Sequence, residues 1–272
     1  MKVIGNIRKM RSSLSENSDV EYTFLAYNNL EKGEELQFNQ FVGKDIAIRY
    51  QHQINCTVSG EKIKKAFGDG MSYDAFMNSP MAVPSILRPE LSQIHEGIAL
   101  RDEEWERRNH LTPHCVYLSK TSGVKVGVTR KTQIPTRWID QGAVEAMVIA
   151  ETPYRQAAGL IEVALKKYVS DKTSWQKMLK NDLSELSLQE AKEYLLEFVP
   201  EDLEEFILYR EKKQSLNFPV IKYPEKVKSM KLDTVPIIEK KLIGIKGQYL
   251  LFNDDTVINI RSHSGYLVEV EV

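Results

Sequence analysis

The sequence predicts an α+β protein with a central module of a small antiparallel sheet and flanking helices, and with a β segment at each end of the chain. Short runs of alternating apolar and polar residues occupy both ends, and the middle has the order strand, strand, helix, strand, helix. The hydrophobic content of 42% and the charged content of 28% are those of an ordinary globular protein. A chain of 272 residues has room for one large domain or for two to three small ones.

The N-terminal β segment, residues 1–55, contains two predicted strands. Residues 21–27 and 45–50 alternate between apolar and polar side chains, and a turn-rich polar stretch separates them. Residues 56–112 follow as an irregular segment with several prolines and no sustained periodicity. Because so long a stretch without regular elements is unusual in a compact domain, we expect something other than local structure to hold it together.

The central module, residues 113–180, carries the clearest pattern of the chain. Two short strands, 115–118 and 124–129, precede a helix that begins near Pro135, since proline suits the first turn of a helix. A short apolar strand follows, and residues 155–168 predict a second helix with its apolar side chains on one face.

Two further segments complete the predicted organisation. Residues 181–214 are acidic and helical, with a break at Pro200 because proline does not continue a helix. Residues 215–272 contain four short β runs separated by turn residues, which predicts a small antiparallel β unit. Neither end of the chain has much core of its own, so we expect 215–272 to pair with 1–55 into a barrel or a sandwich.

Charge is distributed unevenly along the chain. The formal net charge of -1 predicts no bulk attraction to nucleic acid. Residues 114–180, however, carry eleven basic against five acidic side chains, and residues 181–214 carry four against ten. A basic module beside an acidic segment fits a surface that binds a polyanion, next to an acidic segment that imitates that polyanion. It fits two ordinary solvated faces equally well.

The composition favours a cytoplasmic protein. No run approaches the roughly 20 apolar residues of a membrane span, so we expect no membrane association. Residues 1–10 lack the apolar core and the small-residue cleavage site of a secretory signal. Two cysteines, Cys56 and Cys115, are too few for a disulfide framework or a closed zinc site.

The central module resembles the core of GIY-YIG nucleases in the order of its residues. Tyr117 ends a triplet on the first strand, and Gly127 ends a triplet that begins with Lys125 on the second. Arg137 opens the first helix and Glu162 lies on the second. The resemblance covers about a quarter of the chain and implies the strand–strand–helix–strand–helix fold together with cleavage of phosphodiesters.

The same resemblance implies a role for each residue. Glu162 would hold Mg²⁺ or Mn²⁺, since one carboxylate with phosphate oxygens and waters suffices for a cation that keeps most of its hydration shell. Arg137 would meet the phosphate with its planar guanidinium, and Lys125 would neutralise it. Tyr117 would orient or deprotonate the attacking water. The expected partner is DNA or RNA, and four further basic residues would contact its phosphates: Lys120, Arg130, Lys131 and Arg155.

Several positions depart from the GIY-YIG pattern. Cys115 replaces the first triplet's glycine, Lys125 replaces the second triplet's tyrosine, and Gln141 stands where a histidine is common. The late asparagine has no clear counterpart, and Asp171 and Thr173 are the nearest polar residues. Phosphate binding could therefore persist in a chain in which cleavage has been lost.

Each candidate residue also has an ordinary structural reading. Glu162 precedes Lys166 by one helical turn, a spacing that favours an exposed ion pair without any metal. Arg137 can be a helix-surface charge, and Tyr117 can be a half-buried strand tyrosine.

A wider resemblance links the chain to the bacterial DUF2797 family of unknown function. It rests on the runs 125–130, 135–143, 171–175 and 244–249 and covers nearly the whole chain. Members of that family commonly carry paired cysteines before the core, which implies a structural zinc site.

In this chain most of those cysteine positions hold other residues. Cys56 remains, and the others are occupied by Ser59, Ser72, Ala75, Ser85, Ser92 and His110. A tetrahedral zinc site needs about four nitrogen or sulfur ligands, so we expect no structural zinc. His95, His110, His114 and Cys56 form the one substitute ligand set that the sequence offers.

The sequence is compatible with three functions. The first is a nucleic-acid-directed protein that cleaves phosphodiesters with a divalent metal, and it predicts that Tyr117, Arg137 and Glu162 converge on one open cleft. The second is a catalytically inactive module that binds nucleic acid through the basic face of the core. The third is a protein-interaction scaffold that uses the acidic helices or the terminal β unit, with a partner that the sequence does not identify.

Overall fold

The computed structural model describes residues 1–169 and 174–272, and the chain divides into two units. The first unit comprises Met1–Ser79 and Asn217–Val272, and the second comprises Pro80–Leu216. Asp171 and Thr173, the two candidates for a late site residue, lie outside the described residues. Each unit contains its own hydrogen-bonded sheet together with helical elements, so the predicted α+β class is confirmed.

The strands and helices of the described residues are numbered in chain order. The strands are β1 (Lys2–Ile7), β2 (Arg11–Leu14), β3 (Val20–Asn28), β4 (Glu31–Gln37), β5 (Asp45–Asn55), β6 (Lys62–Ile63), β7 (His114–Lys120), β8 (Val124–Arg130), β9 (Glu145–Thr152), β10 (Gln214–Ser215), β11 (Lys228–Met230), β12 (Ile237–Lys246), β13 (Tyr249–Phe252), β14 (Thr256–Asn259) and β15 (Tyr266–Glu271). The helices are α1 (Tyr73–Asn78), α2 (Glu103–His110), α3 (Thr136–Asp140), α4 (Arg155–Lys166), α5 (Trp175–Lys180) and α6 (Leu188–Leu196). Short 3-10 turns lie between several of them.

Strands from opposite ends of the chain form the middle of the first unit's sheet. The strand order is β11, β14, β13, β12, β5, β15, β1, β3, β2, with β4 added to β3 and β6 added to β5. β15 pairs antiparallel with both β1 and β5, and β12 pairs with the other side of β5. The predicted pairing of the two terminal segments is thus confirmed. The described strands run from β11 to β2 and form no closed barrel.

Alternation along β5 explains how this sheet acquires a core. Ile46 and Ile48 are buried, and burial of such aliphatic side chains is the main stabilising term for a sheet. On the opposite face, the Arg49 guanidinium forms ion pairs with three carboxylates on the neighbouring strands β12 and β15, those of Glu239, Glu269 and Glu271. One strand therefore supplies both the apolar contact and a polar outer face.

The second unit is built on a four-stranded sheet in the order β10, β9, β7, β8. The predicted succession of strand, strand, helix, strand and helix is confirmed by β7, β8, α3, β9 and α4. The helices α4 and α6 share one apolar cluster with the sheet, to which Val116, Val126, Ile161 and Leu195 belong. The remaining face of β7 and β8 carries the polar side chains considered below.

Helix α2 lies within the stretch that the sequence predicts to be irregular. It lacks a long apolar stripe and is stabilised by local polar contacts instead. The Asp102 side chain accepts a hydrogen bond from the Trp105 backbone N–H at 2.8 Å, and Arg107 pairs with Glu103 one turn away. The expectation of a stretch without regular elements is therefore wrong at β6, α1 and α2. Both helices are capped by a polar side chain, and capping is harder to recognise in a sequence than periodicity. Among the described helices, none is long and apolar enough to cross a membrane.

Candidate functional site

Tyr117 lies at the centre of the second sheet with its side chain fully buried. Its strand, β7, is hydrogen-bonded to β8 on one side and to β9 on the other, and β8 is an outer strand of the sheet. Tyr117 is paired with Gly127 of β8, so both residues face the same side. A Cβ added to Gly127 would lie 2.6 Å from the Tyr117 hydroxyl oxygen. The glycine therefore lets the phenol pass over the outer strand.

Helix α3 supplies two side chains to that phenol. The Tyr117 hydroxyl donates a hydrogen bond to Gln141 Oε1 at 3.1 Å. Burial raises the pKa of Tyr117, and the nearby Arg137 guanidinium opposes that rise. The phenol therefore remains protonated at neutral pH and acts as a hydrogen-bond donor. Arg137 itself is exposed to solvent.

Glu162 reaches the same place from helix α4. Its carboxylate is buried, and its Oε1 lies 3.0 Å from the Lys166 ammonium, the pair expected from their spacing. Burial raises the pKa of Glu162, whereas Lys166 and Arg155 act to lower it. The Glu162 charge also raises the pKa of Tyr117, which places the two groups within electrostatic reach of each other.

Two strands and two helices thus gather one group of residues, which we call the Tyr117 cluster: Tyr117, Gly127, Arg137, Gln141 and Glu162. Their order along the sequence anticipates this meeting. The sequence order does not predict how deeply two of these side chains are buried: Tyr117 is 0% exposed and Glu162 is 6% exposed. The open cleft expected for these residues is instead a largely covered cluster in which Arg137 reaches the surface.

Lys125 lies beside the cluster on the outer strand β8. It is paired with Ser119 of β7 and is two residues from Gly127, so its side chain emerges on the same face as Tyr117. Lys125 is half-buried.

Three of the predicted phosphate contacts lie at the two ends of the β7–β8 hairpin. Lys120 ends β7 beside the turn and is half-buried. Arg130 ends β8 at the other end of the hairpin, where its guanidinium donates to Asn109 Oδ1. Lys131 is exposed and forms an ion pair with Glu151 at 2.9 Å. These three side chains therefore do not form a single patch.

The fourth predicted phosphate contact, Arg155, is buried at the start of α4. Its Nε donates to the Ser85 carbonyl oxygen at 2.8 Å and its Nη2 to the Ile86 carbonyl oxygen at 2.9 Å. Burial lowers the pKa of Arg155 to about 10, so the guanidinium stays charged at neutral pH. Contact with phosphate stays a prediction for Arg155, and it would require both of these hydrogen bonds to break.

Glu90 is a neighbour of the Tyr117 cluster that sequence reasoning missed. Its carboxylate raises the pKa of Glu162 through charge repulsion. Glu90 belongs to the 3-10 turn Pro89–Leu91, and a Cβ added to Gly159 of α4 would collide with the Glu90 backbone N. A glycine inside an apolar helix marks such a close approach and was the available signal.

The histidine and cysteine residues are distributed over both units. Cys56 belongs to the first unit, whereas His95, His110 and His114 belong to the second. Burial lowers the pKa of His110 to about 3 and that of His114 to about 4, so both rings are neutral at pH 7. Within residues 1–169 and 174–272, no three His, Cys, Asp or Glu side chains lie close enough together to hold a metal ion.

Comparison with known proteins identifies the family of this chain. A family model described as "Protein of unknown function (DUF2797)" matches residues 43–268, which is more than four-fifths of the chain. No curated protein and no solved structure matches the chain. The chain belongs to the DUF2797 family.

Proposed function

We propose that this member of the DUF2797 family is a nucleic-acid-directed protein in which residues 113–180 form a GIY-YIG-like core. One observation supports the proposal above the others: Arg137 and Gln141 of the α3 region hydrogen-bond to the Tyr117 phenol, and the Glu162 charge on α4 acts on the same phenol. Ordinary surface charges would have no reason to converge on one buried phenol. The proposed reaction of this cluster is cleavage of a phosphodiester.

Arg137 is the residue best placed to receive the phosphate. It is exposed, and its planar guanidinium suits two phosphate oxygens at once. Lys125, on the same face of β8, adds a second positive charge. Of the other predicted basic residues, Lys120, Arg130 and Lys131 would contact more distant phosphates, whereas Arg155 would anchor the turn at Ser85 and Ile86.

The raised pKa of Tyr117 selects one of its two predicted roles. A buried, protonated phenol does not deprotonate water at neutral pH, but it donates a hydrogen bond with a fixed direction. In the proposal, Tyr117 therefore orients the attacking water or a phosphate oxygen. Gln141, which now accepts that hydrogen bond, would be exchanged for the substrate oxygen.

Mg²⁺ or Mn²⁺ held by Glu162 would supply neutralisation of the phosphate charge. The residues fit a single-carboxylate site, because the partner of Glu162 is Lys166, a lysine whose side chain is 49% exposed. A cation bound at Glu162 would replace the positive charge of Lys166, so the buried carboxylate would stay paired while the half-exposed lysine turned into solvent. Glu90 would add a second carboxylate nearby.

A nicking assay on the full-length chain tests the proposal. Supercoiled plasmid, branched DNA and RNA should be cut in Mg²⁺ or Mn²⁺ and not in chelator. Glu162→Gln and Arg137→Ala should each lower the rate by about a hundredfold, the effect of losing one charge-stabilising group. Glu145→Gln, which removes a carboxylate paired with Lys213 elsewhere in the same unit, should leave the rate unchanged. Undiminished cleavage by Glu162→Gln would refute the metal-ligand assignment.

A catalytically inactive nucleic-acid-binding module is the second candidate, and the burial of Tyr117 and Glu162 favours it. Such a module would bind with a steep salt dependence, would be indifferent to chelator and would not cut. If the chain bound no nucleic acid even at low salt, both candidates would fail and a protein-interaction scaffold would take their place.

A further inference from the structure

A groove in the first unit lies between β5 and the short strand β6. It encloses about 320 Å³, near the lower end of the range for small-molecule sites. Tyr50 and His52 of β5 line one wall, and Lys62 and Lys64 line the other. We call it the β5–β6 groove. None of its residues belongs to the Tyr117 cluster.

The aromatic wall is the outer end of a row of four rings. The ring of His52 is 5.1 Å from that of Tyr50, which lies 5.0 Å from Tyr266, and Tyr266 lies 5.1 Å from His263. Tyr266 is held in place, since its hydroxyl donates to both oxygens of Asp233. The row therefore holds Tyr50 firmly, and His52 is exposed at its outer end.

The backbone at His52 is in an unusual conformation. Its φ is +52°, in the left-handed region that side-chain-bearing residues rarely adopt. The pairing of β5 with β15 slips at the same place, between Tyr266 and Val268. His52 lines the groove at this irregularity, and such interruptions of a strand commonly re-aim a side chain. Strain of this kind persists where the surroundings enforce it, and it is concentrated at functional sites.

The basic wall offers two available ammonium groups. Lys62 and Lys64 are both exposed, and neither forms an ion pair with any described residue. Lys65, the next lysine along, lies over the Phe67 ring at 5.3 Å instead. Two other lysines of this unit, Lys2 and Lys32, are paired with carboxylates. The groove thus has uncompensated positive charge facing aromatic surface.

We infer that the β5–β6 groove binds a nucleotide unit of single-stranded nucleic acid. A flat base would stack against Tyr50 and His52, and its phosphates would meet Lys62 and Lys64. A duplex keeps its bases stacked inside, so the aromatic wall selects a single strand. The inference rests on the proposed function for the class of partner, and it adds a second binding site and the strandedness of the substrate.

Fluorescence anisotropy on the full-length chain in chelator tests this site. The probes are labelled oligo-dT and oligo-U of about 15 nucleotides, titrated from about 50 to about 200 mM salt. Lys62→Ala with Lys64→Ala should reduce the slope of log affinity against log salt by about 1.4, since each single-strand phosphate contact contributes about 0.7. The matched control is Lys226→Ala with Lys228→Ala, which removes two other exposed lysines of the same unit and should leave the slope unchanged.

A second variant separates stacking from folding. His52→Gly removes the ring and places at that position the residue that tolerates a positive φ. Affinity should fall about fivefold or more, the loss expected for one stacking contact, while the melting temperature does not fall. Loss of affinity together with a lower melting temperature would overturn the stacking role.

The outcomes distinguish this site from the proposed core. Slopes that are equal in the wild type and in Lys62→Ala with Lys64→Ala would overturn the inference, and so would competition by free dTMP as effective as that by the strand. If those variants weaken binding and Arg137→Ala does not, the groove stands and the core fails as a binding site. The opposite pattern overturns the groove and supports the core.

Discussion

At the scale of single residues, Gly127 is the position on which the Tyr117 cluster depends. Gly127→Ala would place a methyl group 2.6 Å from the Tyr117 hydroxyl oxygen, without any change in backbone preference. Overpacking of this kind should lower the free energy of unfolding by about 1–3 kcal/mol, measured by chemical denaturation. The cost should largely vanish in a Tyr117→Ala background. Gly97→Ala is the opposite control. Its added Cβ would meet open space, whereas its φ of +82° is one that alanine rarely adopts, so any loss of stability there would come from the backbone and not from packing.

Lys246 gives a second residue-scale prediction, concerning pH. It is fully buried, and burial lowers its pKa from 10.5 to about 7, while the rings of Phe218 and Tyr223, 5.5 and 5.0 Å from the ammonium, favour the charged form. Between these values the unfolded chain binds a proton that the folded chain does not. The free energy of unfolding should therefore fall as the pH decreases from 10.5 to about 7, and this contribution should be constant below.

The comparison that isolates this contribution is Lys246→Met, which keeps the length of the side chain and removes the charge. The stability difference between the variant and the wild type should change by about 1.4 kcal/mol for each unit of pKa shift across that window. Parallel pH profiles of the two proteins, measured by chemical denaturation, would contradict a depressed pKa.

The residue scale also shows what the sequence could and could not predict about the site. The order of Tyr117, Gly127, Arg137 and Glu162 was visible because each stands at a recognisable place on a predicted element. The burial of Glu162 was not, because it depends on how the turn around Glu90 packs against α4. In the sequence, Arg155 is one more basic residue. In the structure, its guanidinium donates hydrogen bonds to two backbone carbonyl oxygens.

At the scale of elements, the contact between α4 and the 3-10 turn Pro89–Leu91 is the one most open to test. Gly159→Ala should force the turn off the helix, because the added Cβ would lie 2.2 Å from the Glu90 backbone N. A glutamate-specific protease should then cut faster after Glu90, which lies in the turn and whose side chain is only 16% exposed. Ala164→Gly on the same helix is the control, since it costs about 1 kcal/mol of helix propensity without touching the turn. Equal cleavage rates in both variants would contradict the contact.

Elements with an apolar period were predicted and those without one were not. The succession from β7 to α4 was predicted from short apolar runs and from Pro135. Helix α2 was not predicted, because its stability comes from the Asp102 cap and from ion pairs such as Glu103 with Arg107. The joining of both chain ends in one sheet was anticipated because neither end had a sufficient core, but nothing in the sequence gives the strand order.

At the scale of the whole molecule, the two units should fold at different rates. The hairpin of β7 and β8 is local, whereas β1 pairs with β15 across almost the entire chain, and closing so long a loop slows folding. Trp105, Trp138 and Trp175 all lie in the second unit, so tryptophan fluorescence follows that unit alone. Refolding should show a faster phase by fluorescence than by far-ultraviolet circular dichroism. A single shared rate would contradict independent folding.

The divided first unit has a consequence for the nascent chain on the ribosome. β5 is synthesised early, but its two neighbours, β12 and β15, emerge only after the whole of Pro80–Leu216. During that interval most of both edges of β5 carries unpaired backbone N–H and C=O groups, because the early strand β6 pairs only with Ile54 and Asn55. Such edges are the template on which strands of different chains associate. Elongation speed and chaperone supply should therefore govern the yield of this protein in cells.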